Sequence, residues 1–236
     1  MTTISWWNLL WCLPPVAAVC GLYLLWHSSP KDVLVSSARM VIQLIGVGYL
    51  LVFLFSNPSP WISLGVISVM LSAAAWISIR PVKGLPGYLP AAAVALLVSV
   101  ALHLFLSLKM VLGVERWYEP NVLIPLAGMY FASTMNAISL CAERYHTETL
   151  QDQSADQARL AAFNTAMIPQ INSLLAVGLV ALPGMMTGQI LSGVSPLIAV
   201  RYQIMIMAML LGSSGLGIAI FLLYLTRKEK RETPFG

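Results

Sequence analysis

Residues 88–112 read YLPAAAVALLVSVALHLFLSLKMVL, and no Asp, Glu, Lys or Arg occurs in them before Lys109. A helix of about 20 apolar residues, rising about 1.5 Å per residue, crosses the roughly 30 Å hydrocarbon core of a bilayer. A soluble helix keeps a polar face for water, and this one has none. Six further runs of similar size lie at 5–26, 34–56, 60–79, 119–142, 163–191 and 200–226. The breaks between them carry turn and charge signals: HSSPKD, SNPSP, RPVKGLPG, GVERWYEP, ERYHTETLQDQSADQAR and SGVSP. Composition agrees, with 58% hydrophobic and 9% charged residues and a mean hydropathy of +0.82. Soluble domains carry about 25% charged residues. The expectation is an all-α, polytopic integral membrane protein of about seven transmembrane helices, forming one transmembrane domain over 1–236.

Lysine and arginine set the orientation of such a chain. With the N-terminus out and the C-terminus in, the inner side receives Lys31, Arg39, Arg80, Lys83, Arg144, Arg159, Arg227, Lys228, Lys230 and Arg231. The outer side receives Lys109, Arg116 and Arg201. This arrangement predicts a short cytosolic connection at 143–163 and a basic cytosolic tail at 227–236. It also predicts a multi-pass protein of the inner (plasma) membrane. Trp6, Trp7, Trp11, Trp26, Trp61 and Trp117 fall mostly near span ends, as an aromatic belt requires. Net charge of +4 belongs to these span ends and gives no reason to expect a nucleic-acid partner.

The charge map narrows the chemistry. All nine acidic residues lie in connections, at span ends or in the tail. Carriers coupled to protons or cations usually hold an ionisable group within the membrane, and aspartyl intramembrane proteases need carboxylates there. Neither is expected. G-x-S-x-G, H-E-x-x-H and the dipeptide Gly-Lys of a P-loop are all missing, so no catalytic residue is assigned and no ATP site is expected in this chain. His103 is alone inside its span, without His, Cys or carboxylate one turn away. It reads as a neutral imidazole hydrogen-bonded to a neighbouring helix, and no metal site is assigned. Met185, Met186, Met205, Met207 and Met209 read as adaptable packing.

The stretch ALPGMMTGQILSG at 181–193 does not suit a plain span. Pro183 lacks the backbone N–H and clashes with the preceding turn. Non-helical backbone at membrane depth is tolerated only where protein or a wet cavity surrounds it. Gly184, Gly188 and Ser192 repeat every four residues, giving a face that admits close approach of another helix. A broken or kinked helix is expected here, either a gate or subunit contact or a static packing kink.

The block ALPGMMTGQILSGVSPLIAVRYQIMIMAMLL at 181–211 closely resembles the signature of the UPF0014 family of membrane proteins, whose bacterial members include the iron-export permease FetB. Similar stretches are ARMVIQLIGVGYLLVFLF at 38–55, IPLAGM at 124–129 and AMIPQINSLLAVGL at 166–179. The resemblance implies the permease subunit of an ABC-type exporter, for iron or another metal. Two copies would form the pathway, and a separate cytosolic ABC ATPase would bind ATP and power it. It implies pathway or gate roles for Gln43, Ser133, Asn136, Asn172, Pro183, Gly184, Met185, Met186, Gly188, Tyr202 and Gln203. Glu143, Arg144 and Arg159 would face the ATPase.

The chain also departs from the family pattern. Between the fifth and sixth spans only 143–163 remains where relatives have a longer segment with a coupling helix and a glycine turn. No glycine occurs between Gly128 and Gly178, and Asp152 and Asp156, four apart, repel each other. Asn172 and Leu175 stand where the family tends to have Asp and Lys, and Ser133 stands where it has Asn. The alternative reading is therefore an ATPase-independent membrane scaffold or partner-binding subunit.

Overall fold

The computed structural model describes residues 4–151 and 153–232, with side chains as far as Arg227. It is all-helical; among the described residues the only strand-like pairing is an isolated bridge between Val177 and Ala181. The chain divides into two compact units, residues 1–57 and 58–236.

In the first unit a 3-10 helix, Trp6–Cys12, leads straight into α1, Leu13–Leu25. Pro14 and Pro15 stand in the first turn of α1, where backbone N–H groups have no helical acceptor to lose. His27 takes a left-handed φ of 55° and ends the helix, with Ser28 N–H donating to Tyr23 O at 2.7 Å. α2, Lys31–Ser56, follows. Their side chains are almost all exposed, as lipid-facing helices require.

The second unit holds α3 (Pro60–Ser78), α4 (Tyr88–Phe105), a π-helical turn (Leu106–Val111), α5 (Pro120–Leu150), α6 (Ala155–Ala176), α7 (Gly184–Leu191) and α8 (Pro196–Glu232). Its core is rich in small residues. Ala91, Ala92, Ala95 and Ser99 of α4, Ala127 and Ala137 of α5, and Ala158, Ala162 and Ala166 of α6 are fully buried. Lipid is as apolar as a leucine side chain, so helices associate here through close packing, and small faces permit it.

α8 supplies the deepest notches. A Cβ at Gly212 would overlap the His103 ring, and one at Gly217 would overlap the Thr134 methyl. His103 Nδ1 lies 2.7 Å from Ser99 O, a pure acceptor, so Nδ1 carries the proton. The imidazole thus bonds to its own helix one turn back, not to the neighbouring helix expected from sequence, and its other edge fills the Gly212 notch.

Residue pairs across the contacts give the helix directions. His103 meets Gly212 and Tyr88 stacks edge-on against Phe221, so α4 and α8 run antiparallel. Ser133 meets Ser214 and Thr134 meets Gly217, so α5 and α8 run parallel. α6 must therefore carry the chain back across.

Among the described residues six helices are long and apolar enough to span a membrane: Trp6–Leu25, Lys31–Ser56, Pro60–Ser78, Tyr88–Val111, Pro120–Leu150 and Pro196–Arg227. The remaining expected run, 163–191, is not one helix. α6 starts earlier, at Ala155, and stops at Ala176. Gly178 takes a left-handed φ of 81°, and Pro183 caps α7 in an extended conformation. The apolar run masks this break because each side of it is still apolar, while the opening turns of α6 are polar.

Gly212→Ala is expected to lower the melting temperature of the purified protein, at an overpacking cost of about 1–3 kcal/mol. His103→Ala added to it empties the clashing volume and should recover part of that loss. Equal or additive losses in the double variant would refute the notch.

Candidate functional site

Polar side chains meet where α5, α6 and α8 pack. Ser133 Oγ of α5 lies 3.0 Å from Gln170 Oε1 of α6 and 2.9 Å from Ser214 Oγ of α8. The Ser133 hydroxyl donates to the Gln170 carbonyl and accepts from Ser214. Next to this junction is a cavity of about 330 Å³, whose polar lining comes from Ser133, Asn136, Gln170 and Ser173. Pro169 also lines it and sits inside α6. Without a proline N–H, the carbonyl of Thr165 loses its helical donor. One turn on, Ser173 Oγ donates to Pro169 O at 2.8 Å. Neutral hydroxyl and amide groups and a loosened turn of backbone therefore surround this space. Asn136 and Ser173 are exposed on the single chain, at the depth of its apolar helices.

A second cavity, of about 510 Å³, lies between the end of α6, the 177–183 turn, α7 and the first half of α8. Leu174, Met207 and Leu211 line both cavities and separate them. Pro183 and Met186 form part of this apolar wall, and Gln203 is the polar side chain in it. Gln203 Oε1 is buried without a hydrogen-bond partner.

The expected pathway residues divide accordingly. Ser133 and Asn136 line the polar cavity, and Pro183, Met186 and Gln203 line the apolar one. Asn172 is exposed on α6 and Tyr202 is exposed on α8; neither lines these two cavities. Met185 packs against the core instead. Gly184 and Gly188 stand on α7 with open space where a Cβ would be, so their close-packing face meets nothing within the chain. Gln43 belongs to the first unit, where its amide oxygen, turned to the guanidinium, accepts from Arg39 Nε at 3.0 Å and Nη2 at 3.3 Å.

Sequence reasoning passed over Gln170, Ser173 and Ser214. The signal was there: Ser133 and Asn136 on α5 and Gln170 and Ser173 on α6 share a three-residue spacing, which puts each pair on one helical face. Among the described residues no three His, Cys, Asp or Glu side chains gather as metal ligands would.

At the far end of α5 and α6, Arg144 pairs with Glu148, and Arg159 pairs with Asp156 at 2.9 Å. Glu143 is exposed. Ser154 and Gln157 form a reciprocal capping box that starts α6. Asp152, expected to repel Asp156, lies outside the described residues.

An all-α fold with six membrane-length helices among the described residues defines a polytopic membrane protein. The model of the uncharacterised protein family UPF0014 matches residues 6–229. The chain is 35% identical to a UPF0014 membrane protein of Synechocystis sp. over 88% of this chain and 87% of that one. It is 32% identical to the protein named probable iron export permease protein FetB of Escherichia coli, over 82% of this chain and 80% of that one. It is 31% identical to the UPF0014 membrane protein YjkA of Bacillus subtilis, over 80% and 81%. No solved structure matches the chain. The chain belongs to the UPF0014 family.

Ser133 bridges two helices, so Ser133→Ala should cost more stability than Ser214→Ala. A double-mutant cycle on thermal unfolding in detergent should give a coupling of about 0.5–1 kcal/mol for the pair, the usual scale for interhelical hydrogen bonds in membranes. Strict additivity would remove the bridge.

Proposed function

We propose that this chain is the permease subunit of an ATP-driven exporter, with the polar cavity on α5, α6 and α8 as part of its pathway. The carrying observation is that polar cavity, whose Asn136 and Ser173 stay exposed at membrane depth. Polar groups at that depth ordinarily face protein or water rather than lipid. The 32% identity to a protein named for iron export supports the same reading. Iron or another metal would be the cargo. The neutral lining favours driving by a separate ATPase, since it holds no ionisable group to load a coupling ion.

A second copy of the chain is the proposed cover for the exposed polar face. The open Gly184–Gly188 face of α7 fits the same role, as glycines with no contact in their own chain are free to receive another. The orientation from lysine and arginine puts the α5–α6 hairpin on the cytosolic side of the inner (plasma) membrane. α5 has 31 residues, about 46 Å, and outruns the roughly 30 Å core. Its last turns and the start of α6 therefore stand beyond the bilayer. Glu143, Arg144 and Arg159 lie there, beside exposed Leu150 and Leu160. A groove lined by Arg159, Leu160, Phe163 and Leu222 lies between α6 and α8 at this end. This is the proposed ATPase-docking surface.

The scaffold reading keeps one observation in its favour: α5 ends at Leu150 and α6 begins at Ala155, with no separate coupling helix among the described residues between them. Purification from the native cell in mild detergent separates the two. A P-loop ATPase recovered at about one copy per chain supports the permease. Its absence, under conditions that retain a known permease complex, supports the scaffold.

Gly188→Leu tests the second copy. A side chain there meets nothing in its own chain, so the melting temperature of the monomer should be unchanged. Chemical crosslinking in membranes should lose the dimer band, and transport should fail with it. A dimer band at wild-type strength would place the contact elsewhere.

A further inference from the structure

The apolar cavity beside α7 holds an unresolved polar group. Gln203 is 6% exposed, and its Oε1 has no hydrogen-bond partner. A buried carbonyl without a donor has given up its hydration with nothing in return. Its surroundings offer no relief: the cavity walls are Leu174, Leu182, Met186, Met207 and Leu211, with the proline Pro183. At about 510 Å³ the space is in the range of small-molecule sites, which combine apolar walls with a few placed polar groups. The final torsion of a glutamine is two-fold and soft, so a half-turn exchanges its oxygen and nitrogen. The amide can therefore present its acceptor to the cavity.

The edge of the cavity faces apolar surroundings. Gly178 and Leu182 line it, and between them Leu179 and Val180 are 89% and 85% exposed. The turn that bears them carries no charge. An occupant entering here passes apolar side chains only.

We infer that this cavity binds a neutral, hydroxyl-bearing amphiphile from the bilayer, with the hydroxyl donating to Gln203 Oε1 and the chain lying against Leu174, Met186 and Leu211. A hydroxyl both donates and accepts, so it meets the amide in either orientation. An ammonium or phosphate headgroup would bring a charge that no lining residue neutralises. Transport does not enter: a chain that moved no cargo would present the same cavity to the bilayer.

The test uses the full chain in nanodiscs with a long-chain fatty alcohol carrying a diazirine in its tail. After irradiation, adducts are mapped by mass spectrometry, with hexadecan-1-ol and its methyl ether as competitors. Adducts are expected to saturate and to concentrate within 174–186 and 200–211. The alcohol should compete about fivefold better than the ether, the scale of one neutral hydrogen bond. Gln203→Leu should bring the two competitors level, and it should fold because it removes an unpaired amide. Met186→Trp fills the cavity and should suppress these adducts while leaving those on α2 unchanged. Unsaturable labelling spread over all lipid-facing helices would mean annular lipid only and overturn the site. Equal competition by ether and alcohol on the unaltered chain would also overturn it. So would the absence of adducts together with a Met186→Cys disulfide between two copies, since the second copy would then be the occupant.

Discussion

A bilayer core offers no water to hydrogen-bond a free peptide group, and this constraint organises the whole chain. Each N–H and C=O has to be satisfied within the protein, which leaves continuous helices as the default. The interruptions show the same rule at work. After α6 ends, the Val180 and Ala181 N–H groups donate back to Ala176 O, and Gly178 N–H donates to Ala181 O. The 177–181 turn thus closes most of its bonds on itself before Pro183 starts α7. Beyond the π-helical turn, Val114 N–H reaches Leu108 O at 2.8 Å, and Lys109 Nζ donates to the carbonyls of Val114 and Glu115.

The same constraint extends to side chains. Most hydroxyls in the spans bond to a carbonyl three or four residues back, as Ser68, Ser72, Ser99 and Thr226 do. Such groups are silent: they satisfy themselves within one helix. Ser133 differs because it bonds to two other helices, and Ser107 differs because it reaches Tyr130 as well as its own backbone. The polar groups that tie helices together therefore separate from those that merely cross the membrane. On this measure polarity serves tertiary structure at the α5–α6–α8 junction, at the Ser107–Tyr130 contact, and where Ser63 Oγ of α3 donates to Tyr118 O ahead of α5. The first of these opens onto a polar cavity.

Legibility in the sequence follows from the same physics. The six long spans were readable because hydrophobic length is nearly all a bilayer asks of a helix. The break after Ala176 was readable at Pro183 but not at Gly178, since glycine is common in membrane helices and its left-handed φ leaves no compositional trace. His103 was readable as a packed imidazole, whereas its partner was not, because neither Gly212 nor the carbonyl of Ser99 announces a notch. The pathway roles of Gln43 and Asn172 rest on resemblance alone. A polar residue in a span reads the same whether it bonds to Arg39 one turn away, faces outward, or lines a cavity. Gln170 was missed because a neutral amide in an apolar run does not announce the hydroxyl it meets on another helix.

α6 and α7 together explain why the chain keeps an unusual element at this point. α7 has eight residues, about 12 Å, far short of a span. The parallel course of α5 and α8 still requires the chain to cross between them, so α6 provides the crossing and the 177–191 segment is left over at its end. A continuous helix would have packed its side chains against α8 and closed the gap. Breaking it at Gly178 and Pro183 leaves Leu174, Met207 and Leu211 as a thin partition, with a neutral polar space on one side and an apolar space on the other. The antiparallel course of α5 and α6 would survive a helix that ran on through Gly178, but the apolar cavity walled by Val177, Gly178, Leu182, Pro183 and Met186 would not. The residues that a membrane helix is least expected to tolerate are thus the ones that give this bundle an interior to work with.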